Sequence, residues 1–179
     1  MKVQLSIGNV FNGYRAGGLI VASPGTSQRS LLSQLKTYGG DKFRNGLHEV
    51  IATPPGVTSG DVVAIPVEGI QYGVALVAFL DKGDEQQLEV VFKKIFDLAT
   101  TLGIANLVLP LIGTGSKGID QMSWAESFNA ALGNLTEVQQ LLIDSIEVVI
   151  DPISMNRNDA QTITNVLNSA ISPQFTGDF

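Results

Sequence analysis

The stretch Leu107 to Gly118 reads Leu-Val-Leu-Pro-Leu-Ile-Gly-Thr-Gly-Ser-Lys-Gly, and the rest of the chain is best interpreted around it. Its first half is an apolar run without polar alternation, which is typical of a strand buried on both faces of a sheet. Its second half interleaves glycines with Thr114, Ser116 and Lys117. Glycines let backbone N–H groups approach a ligand, and successive N–H groups form an anion-binding concavity. We therefore predict a buried strand leading into a phosphate-binding loop; a plain glycine-rich turn is the alternative.

The composition limits the classes of function. With 179 residues, 44% hydrophobic and 16% charged, the chain is long enough for one domain with a substantial core. It has no cysteine, which excludes disulfides, thiolate metal sites and a cysteine nucleophile. The net charge of −6, without a cluster of Lys and Arg, argues against duplex nucleic acid as a partner. A small anionic ligand stays possible, because backbone N–H groups can bind it.

No segment of the chain reads as a membrane or targeting signal. The first residues lack an apolar region with a small-residue cleavage pattern, so we expect no signal peptide. The longest apolar run, from Val74 to Leu80, is far too short to cross a bilayer and fits a buried strand. We therefore expect a cytoplasmic protein that does not contact membranes.

Hydrophobic periodicity and turn residues predict an alternation of strands and helices. Strands are predicted at 3–10, 19–22, 48–52, 61–66, 72–80, 105–112 and 146–150. Helices are predicted at 28–38, 84–102, 123–142 and 159–170, with the third broken near Gly133 and the others begun by capping residues. Alternation in the second half favours parallel pairing, whereas 61–66 and 72–80 form an antiparallel hairpin. The expected fold is α/β, a three-layer α/β/α sandwich with a mixed central sheet, over 1–171, followed by a loose tail at 172–179.

Two familiar nucleotide motifs fit the glycine loop only in part. Gly113-x-Gly115-x-x-Gly118 matches the dinucleotide-binding pattern, but that pattern runs straight into a helix. Here Ser123-Trp124-Ala125-Glu126 reads as a capping box, which places the predicted helix start five residues after Gly118. A Walker A loop fails because Lys117 is followed by glycine rather than by Ser or Thr.

A family resemblance carries the interpretation further. The run Pro110 to Ile119 resembles the strand and second phosphate loop of macro domains, which read roughly P-x-I-[SG]-T-G-x-x-G-[YI]. Ile20 to Gly25 lies where macro domains carry I-V-N-A-A-N, and Gly8-Asn9-Val10 lies where they carry G-D-I. The order of predicted elements also fits that fold. The resemblance implies that the chain binds ADP-ribose or a related nucleotide. We expect no further cofactor and no metal, because without cysteine and with one histidine only an oxygen-ligand metal site stays open.

Departures from the family pattern bear on catalysis. The catalytic Asn of the family falls on Gly25, and the G-G-G-V first loop is replaced by Thr26-Ser27-Gln28-Arg29. Macro domains have an acidic residue that contacts adenine, and the resemblance places Asn9 at that position. Its amide can still form a hydrogen bond. The resemblance therefore implies binding without efficient hydrolysis, so we lean towards a chain that is not an enzyme. The implied ligand-binding residues are Asn9, Val10, Ser23, Gly25, Thr26, Ile112, Gly113, Thr114, Gly115, Ser116, Lys117, Gly118 and Ile119.

Other readings of the sequence stay open. The chain could hydrolyse ADP-ribose linkages with a substitute residue such as Asp120, or it could be a macro-like scaffold that binds no nucleotide. His48, the single histidine, could act as a base, but a lone residue defines no geometry and a structural or surface position is expected. Trp124 could stack on a base, although an aromatic residue at the start of a helix is more often part of the core.

Overall fold

A computed structural model of the chain describes residues 1–11, 18–21, 31–81, 83–112, 119–150, 157–167 and 174–176. Its strands are β1 (Lys2–Ile7), β2 (Gly18–Val21), β3 (Val62–Pro66), β4 (Val74–Ala78), β5 (Asn106–Pro110), β6 (Ser145–Ile150) and β7 (Gln174–Thr176). Its α-helices are α1 (Leu31–Tyr38), α2 (Gly40–Ala52), α3 (Leu88–Leu102), α4 (Gln121–Gly133), α5 (Glu137–Leu142) and α6 (Arg157–Leu167). A short 3₁₀ turn at Glu85–Gln87 leads into α3.

All the described strands join one sheet in the order β3-β4-β2-β5-β6-β1-β7. Only the β3–β4 pair is antiparallel, and the other pairs are parallel. The mixed sheet and the β3–β4 hairpin confirm the fold class predicted from the sequence. In the central pairs, Leu107 lies beside Ile146 and Gly18 beside Leu107, so the apolar run of β5 is buried between two parallel neighbours.

One face of the sheet, called the α3 face, is covered by α3, α4 and α6. Leucine, isoleucine and valine side chains from β1, β4, β5 and β6 pack there against the helices in one continuous core. Four aromatic rings lie at its centre, with Trp124 stacked on Phe128 at 5.1 Å and Phe92 edge-on to both rings. These side chains are fully buried, so apolar area removed from water is the main stabilising contribution.

The opposite face, called the α1 face, is covered by α1 and α2. Leu35, Phe43 and Leu47 of these helices pack on alternate residues of β3 and β4. Farther across the same face the side chains become polar, because Ser6 Oγ donates to Glu147 Oε1 at 2.6 Å and Ser145 Oγ contacts Asn106 Oδ1 at 2.6 Å. The α1 face therefore combines an apolar cluster with side-chain hydrogen bonds.

Several sequence-based expectations need correction. Residues 48–52 are not a strand but the last turns of α2, because Phe43 and Leu47, four residues apart, turn the same side of a helix into the core. Helix α4 begins at Gln121 instead of 123, since Asp120 caps it by accepting hydrogen bonds from the N–H groups of Met122 and Ser123. Within the expected loose tail, Gln174–Thr176 forms β7 and pairs with β1.

Other boundaries follow the sequence closely. Helix α3 ends at Leu102, and Gly103 adopts a left-handed conformation with φ of 70° that a residue with a side chain rarely takes. The predicted break near Gly133 separates α4 from α5, and a capping box between Thr136 and Gln139 starts α5. Asp84 precedes the 3₁₀ turn but makes no side-chain capping hydrogen bond. Asp159 lies inside the first turn of α6 rather than before it.

Candidate functional site

The parallel strands β1, β6, β5 and β2 end at the same edge of the sheet, called the carboxyl edge. Register places Ile7 of β1 beside Ile150 of β6, and Pro110 of β5 beside Val149. Ligands of open α/β sheets bind outside the carboxyl ends of the strands, because the loops that follow them converge there. The segments after Ile7 and after Pro110 carry the predicted ligand-binding residues, and they emerge at this edge.

The chain turns sharply after β1. Gly8 continues the ladder by donating its N–H to the carbonyl of Ile150 at 3.0 Å. The exposed side chain of Asn9 then accepts a hydrogen bond from the N–H of Phe11 at 2.9 Å. Asn and Asp favour this kind of turn, because their side-chain oxygen reaches the backbone N–H two residues ahead. The turn fixes the Oδ1 atom of Asn9 against the backbone.

Val10 anchors this turn to the α1 face. Its side chain is only 4% exposed and packs in the core beneath α1 and α2. The hydroxyl of buried Tyr72 donates to the carbonyl oxygen of Val10. A buried tyrosine hydroxyl requires such a partner, and the bond joins residues 62 positions apart. Val10 is therefore a buried anchor of the turn, and its carbonyl oxygen is already bound to Tyr72.

Phe11 follows with an aromatic contact. Its ring lies 5.2 Å from that of Tyr38 at the end of α1, and Tyr38 is 53% exposed. Sequence reasoning missed the roles of Tyr38 and Tyr72. No local signal could have found them, because both contacts depend on the packing of α1 and of the segment before β4 against the turn after β1.

The glycine loop leaves the sheet from a fixed base. At the end of β5, the N–H of Ile112 donates to the carbonyl of Pro110 at 2.9 Å, and the Ile112 side chain is 2% exposed. On the far side of the loop, the Ile119 side chain is 3% exposed and lies in the same core. Two buried isoleucines therefore hold the two ends of the loop on the α3 face.

The predicted site residues divide into two groups. Asn9, Val10, Ile112 and Ile119 lie in the described part of the chain, whereas 23–26 and 113–118 lie outside it. The two described ends, at β1 and β5, are separated only by β6, which places them two strand spacings or roughly 10 Å apart. Of the four described residues, only Asn9 presents its side chain to solvent.

Two other candidates have structural positions. Trp124 is completely buried among Phe92 and Phe128, as expected for a core residue rather than a base-stacking one. His48 lies on the exposed side of α2, as expected for a surface residue. Among the described residues, no group of three His, Asp or Glu side chains could hold a metal ion. Within those same ranges, no helix combines the length and hydrophobicity that crossing a membrane requires.

Comparison with known proteins gives the same fold. No protein-family model matches the chain, and no curated protein matches it. Solved structures do match: a mutant Oceanobacillus iheyensis macrodomain with ADPR aligns with a TM-score of 0.73 and 12% identity over 92% of this chain and 90% of that one. The macro domain of ganglioside induced differentiation associated protein 2 aligns with a TM-score of 0.78 and 12% identity over 93% of this chain and 84% of that one.

A third match is the Trypanosoma brucei macrodomain in complex with ADP-ribose, with a TM-score of 0.61 and 13% identity over 90% of this chain and 67% of that one. This chain has the macro-domain fold. At 12–13% identity the similarity shows a shared fold only, and the bound ligands are features of those proteins. The expected macro-like fold is thus confirmed.

Proposed function

We propose that the chain binds ADP-ribose or a related nucleotide at the carboxyl edge. The observation that carries the proposal is the convergence of the β1 and β5 ends at one edge of a macro-domain fold. Asn9 and Val10 would meet the adenine. The loop Gly113 to Ile119 would hold the diphosphate through backbone N–H groups, and Ser23, Gly25 and Thr26 would form the opposite wall.

The spacing of the anchors supports this assignment. The ends of β1 and β5 are roughly 10 Å apart, a span that a nucleotide with its adenine near Asn9 and its phosphates near the loop after Ile112 would bridge. The buried side chains of Ile112 and Ile119 preorganise the base of the loop, which lowers the entropy lost on binding. The net charge of −6 does not oppose an anionic ligand when backbone N–H groups supply the binding.

Binding without efficient hydrolysis follows from two residues. Gly25 stands where the family resemblance places the catalytic Asn, and glycine has no side chain that could replace the Asn amide. The proposed substitute, Asp120, already accepts two hydrogen bonds from N–H groups at the start of α4. Its Oδ2 atom therefore has a structural role that explains its presence.

Calorimetric titration with ADP-ribose tests the proposal, with ADP and ribose 5-phosphate as partial ligands. Gly115→Glu should abolish binding, because a carboxylate side chain in the loop blocks and repels the diphosphate. Gly133→Glu is the matched control, since the space around Gly133 at the end of α4 is open and the charge change is the same. Absence of heat at about millimolar ADP-ribose, or equal binding by both variants, would favour the scaffold alternative.

A further inference from the structure

Most of the exposed large hydrophobic side chains of the described residues belong to two helices that contact each other, α3 and α5. Seven large hydrophobic side chains are exposed among the described residues, and five of them belong to α3 and α5: Val90, Leu102, Val138, Leu141 and Leu142. Leu141 is 83% exposed and Val138 is 60% exposed. Single exposed hydrophobic residues are ordinary, but a concentration of them with polar residues around it marks an interaction surface.

This surface contains a groove of about 540 Å³ between α3 and the turn that joins α4 to α5. Buried Phe96, Ala131 and Leu135 form its apolar floor, and Val90 and Val138 lie at its sides. Its lining extends along α3 from Glu89 to Thr100, which corresponds to about 17 Å of helix. The groove is therefore long enough for about three turns of a partner helix.

The wall formed by α5 is held in place. The capping box of Thr136 and Gln139 fixes the start of α5, and Gln139 Nε2 also donates to Asp97 Oδ1 of α3 at 2.7 Å. Asn134 Nδ2 makes a longer contact with Glu89 Oε1 at 3.5 Å. These bonds join α3 to the turn before α5, so the groove is preformed rather than created by a ligand.

The charged lining of the groove carries one net negative charge. Glu89 and Asp97 line the groove, with Glu85 and Glu137 next to lining residues in the sequence, and Lys93 is its only basic lining residue. The carboxylates of Glu89 and Asp97 accept hydrogen bonds from side-chain amides, which carry no charge. Within the described ranges, neither carboxylate forms an ion pair. Neighbouring Lys94 is engaged elsewhere, because its Nζ atom donates to the carbonyl of Gly60 at 2.8 Å.

We propose that the groove between α3 and α5 docks a basic amphipathic helix of a partner protein. Helical walls whose backbone groups are already paired offer no strand edge, which favours a helix in the groove over an added strand. Leucine-type side chains would fill the apolar floor, and Lys or Arg would face Glu89 and Asp97. A second copy of this chain fits less well, since it would bring Glu137 and a further net charge of −6 to a groove whose charged lining is already net negative.

The probe is a labelled helical peptide of Leu and Lys, with Leu at one face and Lys at the others. Its binding to the full chain is followed by fluorescence anisotropy at several salt concentrations. Two comparison peptides are a shuffled sequence of the same composition and an amphipathic sequence with Glu in place of Lys. We expect saturable binding of the first peptide only, weakened by salt because the contacts with Glu89 and Asp97 are exposed.

Paired variants locate the binding. Val138→Asp and Glu89→Lys should each weaken peptide binding by about tenfold, the effect of a central interface residue. Ile51→Asp and Glu49→Lys make the same changes on α2, and they should leave binding within about twofold. Circular dichroism checks the fold of each variant, and unchanged ADP-ribose binding separates this surface from the carboxyl edge.

Three results would overturn the proposal. Equal binding of the shuffled peptide, or equal weakening by the groove and α2 variants, would mean general attraction to an acidic protein. No saturable binding at about 1 mM peptide would mean that the groove has no such partner. A dimer in sedimentation that Leu141→Asp abolishes would assign the surface to a second copy of the chain.

Discussion

The two faces of the sheet differ in what they contribute. The α3 face is one continuous apolar core with a cluster of four aromatic rings at its centre. The α1 face has a smaller apolar cluster that extends to Val108 and Val149, and β1, β5 and β6 also carry two side-chain hydrogen bonds on it. The turn that carries Asn9 is anchored on this second face, through Val10.

The two faces lead to different expectations for the stability of the protein and for the proposed ligand binding. A close-packed apolar layer tolerates little change, because every lost contact leaves a cavity. A layer that depends on a few directed hydrogen bonds can position a turn precisely while contributing less to the free energy of unfolding. We therefore expect substitutions on the α3 face to act mainly on stability, and substitutions around Val10 to act on ligand affinity as well.

The largest effect is expected from Phe128→Ala on the α3 face. The ring of Phe128 contacts those of Phe92, Phe96 and Trp124, so its loss should lower the free energy of unfolding by about 3–5 kcal/mol. Phe43→Ala on the α1 face makes the same change at an equally buried residue without a ring partner in the described ranges. Phe43→Ala should lower the free energy of unfolding by about 1 kcal/mol less than Phe128→Ala does. A larger loss for Phe43→Ala in urea unfolding would contradict the proposed difference between the two faces.

Tyr72→Phe should have a smaller effect on stability and a second effect on binding. It removes the hydrogen bond to the carbonyl of Val10, which should cost about 1–2 kcal/mol in urea unfolding. Because that bond holds the turn after β1, calorimetry should also show weaker ADP-ribose binding. Tyr38→Phe, at a half-exposed ring, is the control and should change neither quantity. A stability loss with unchanged affinity would mean that Val10 does not position the ligand.

Asp120→Ala tests the assignment of Asp120 as a capping residue. Loss of the two hydrogen bonds at the start of α4 should lower the free energy of unfolding by about 1 kcal/mol. Asp120→Asn keeps an acceptor oxygen and should restore most of that loss. If the chain removes ADP-ribose from a modified protein and Asp120→Asn abolishes that activity while keeping stability, the hydrolase alternative would replace binding alone.

The smallest effect is expected at Asn9. Asn9→Asp keeps the hydrogen bond from the N–H of Phe11 and adds a charged acceptor for the adenine amino group, so ADP-ribose should bind a few-fold more tightly. Asn45→Asp on the exposed side of α2 introduces the same charge away from the edge and should leave affinity unchanged. Weaker binding by Asn9→Asp, measured by calorimetry, would place the adenine elsewhere.

The sequence predicted an element correctly where only one local signal, such as a turn or a capping residue, was present. The hairpin of β3 and β4 follows from two short apolar runs, and the end of α3 follows from Gly103. Competing signals caused the errors. Asp120 and Ser123 are both good capping residues, and the sequence does not say which one the tertiary structure uses. Likewise, the short segment from His48 to Ala52 was predicted as a strand, yet packing of Phe43 and Leu47 makes it the end of a helix.

Long-range contacts were beyond local patterns. The hydrogen bond between Tyr72 and Val10 joins residues 62 positions apart, and β7 exists only through its pairing with β1. For the site, the sequence predicted strands that correspond to β1, β2 and β5, and the assignment of ligand-binding residues to their ends stays a prediction. Its prediction for residues 113–118 stays a prediction, because that loop lies outside the described residues.

The pairing of β7 with β1 has a consequence for self-association. A sheet edge exposes unpaired N–H and C=O groups that can template pairing with another chain. β7 lies beside Gln4, Leu5 and Ser6, so it covers the middle of a strand whose side chains include the fully buried Leu5. At the other edge, β3 ends in Pro66, which cannot donate to a further strand. Both borders of the sheet thus carry a feature that discourages edge-to-edge aggregation, and one of them depends on a strand of only three residues.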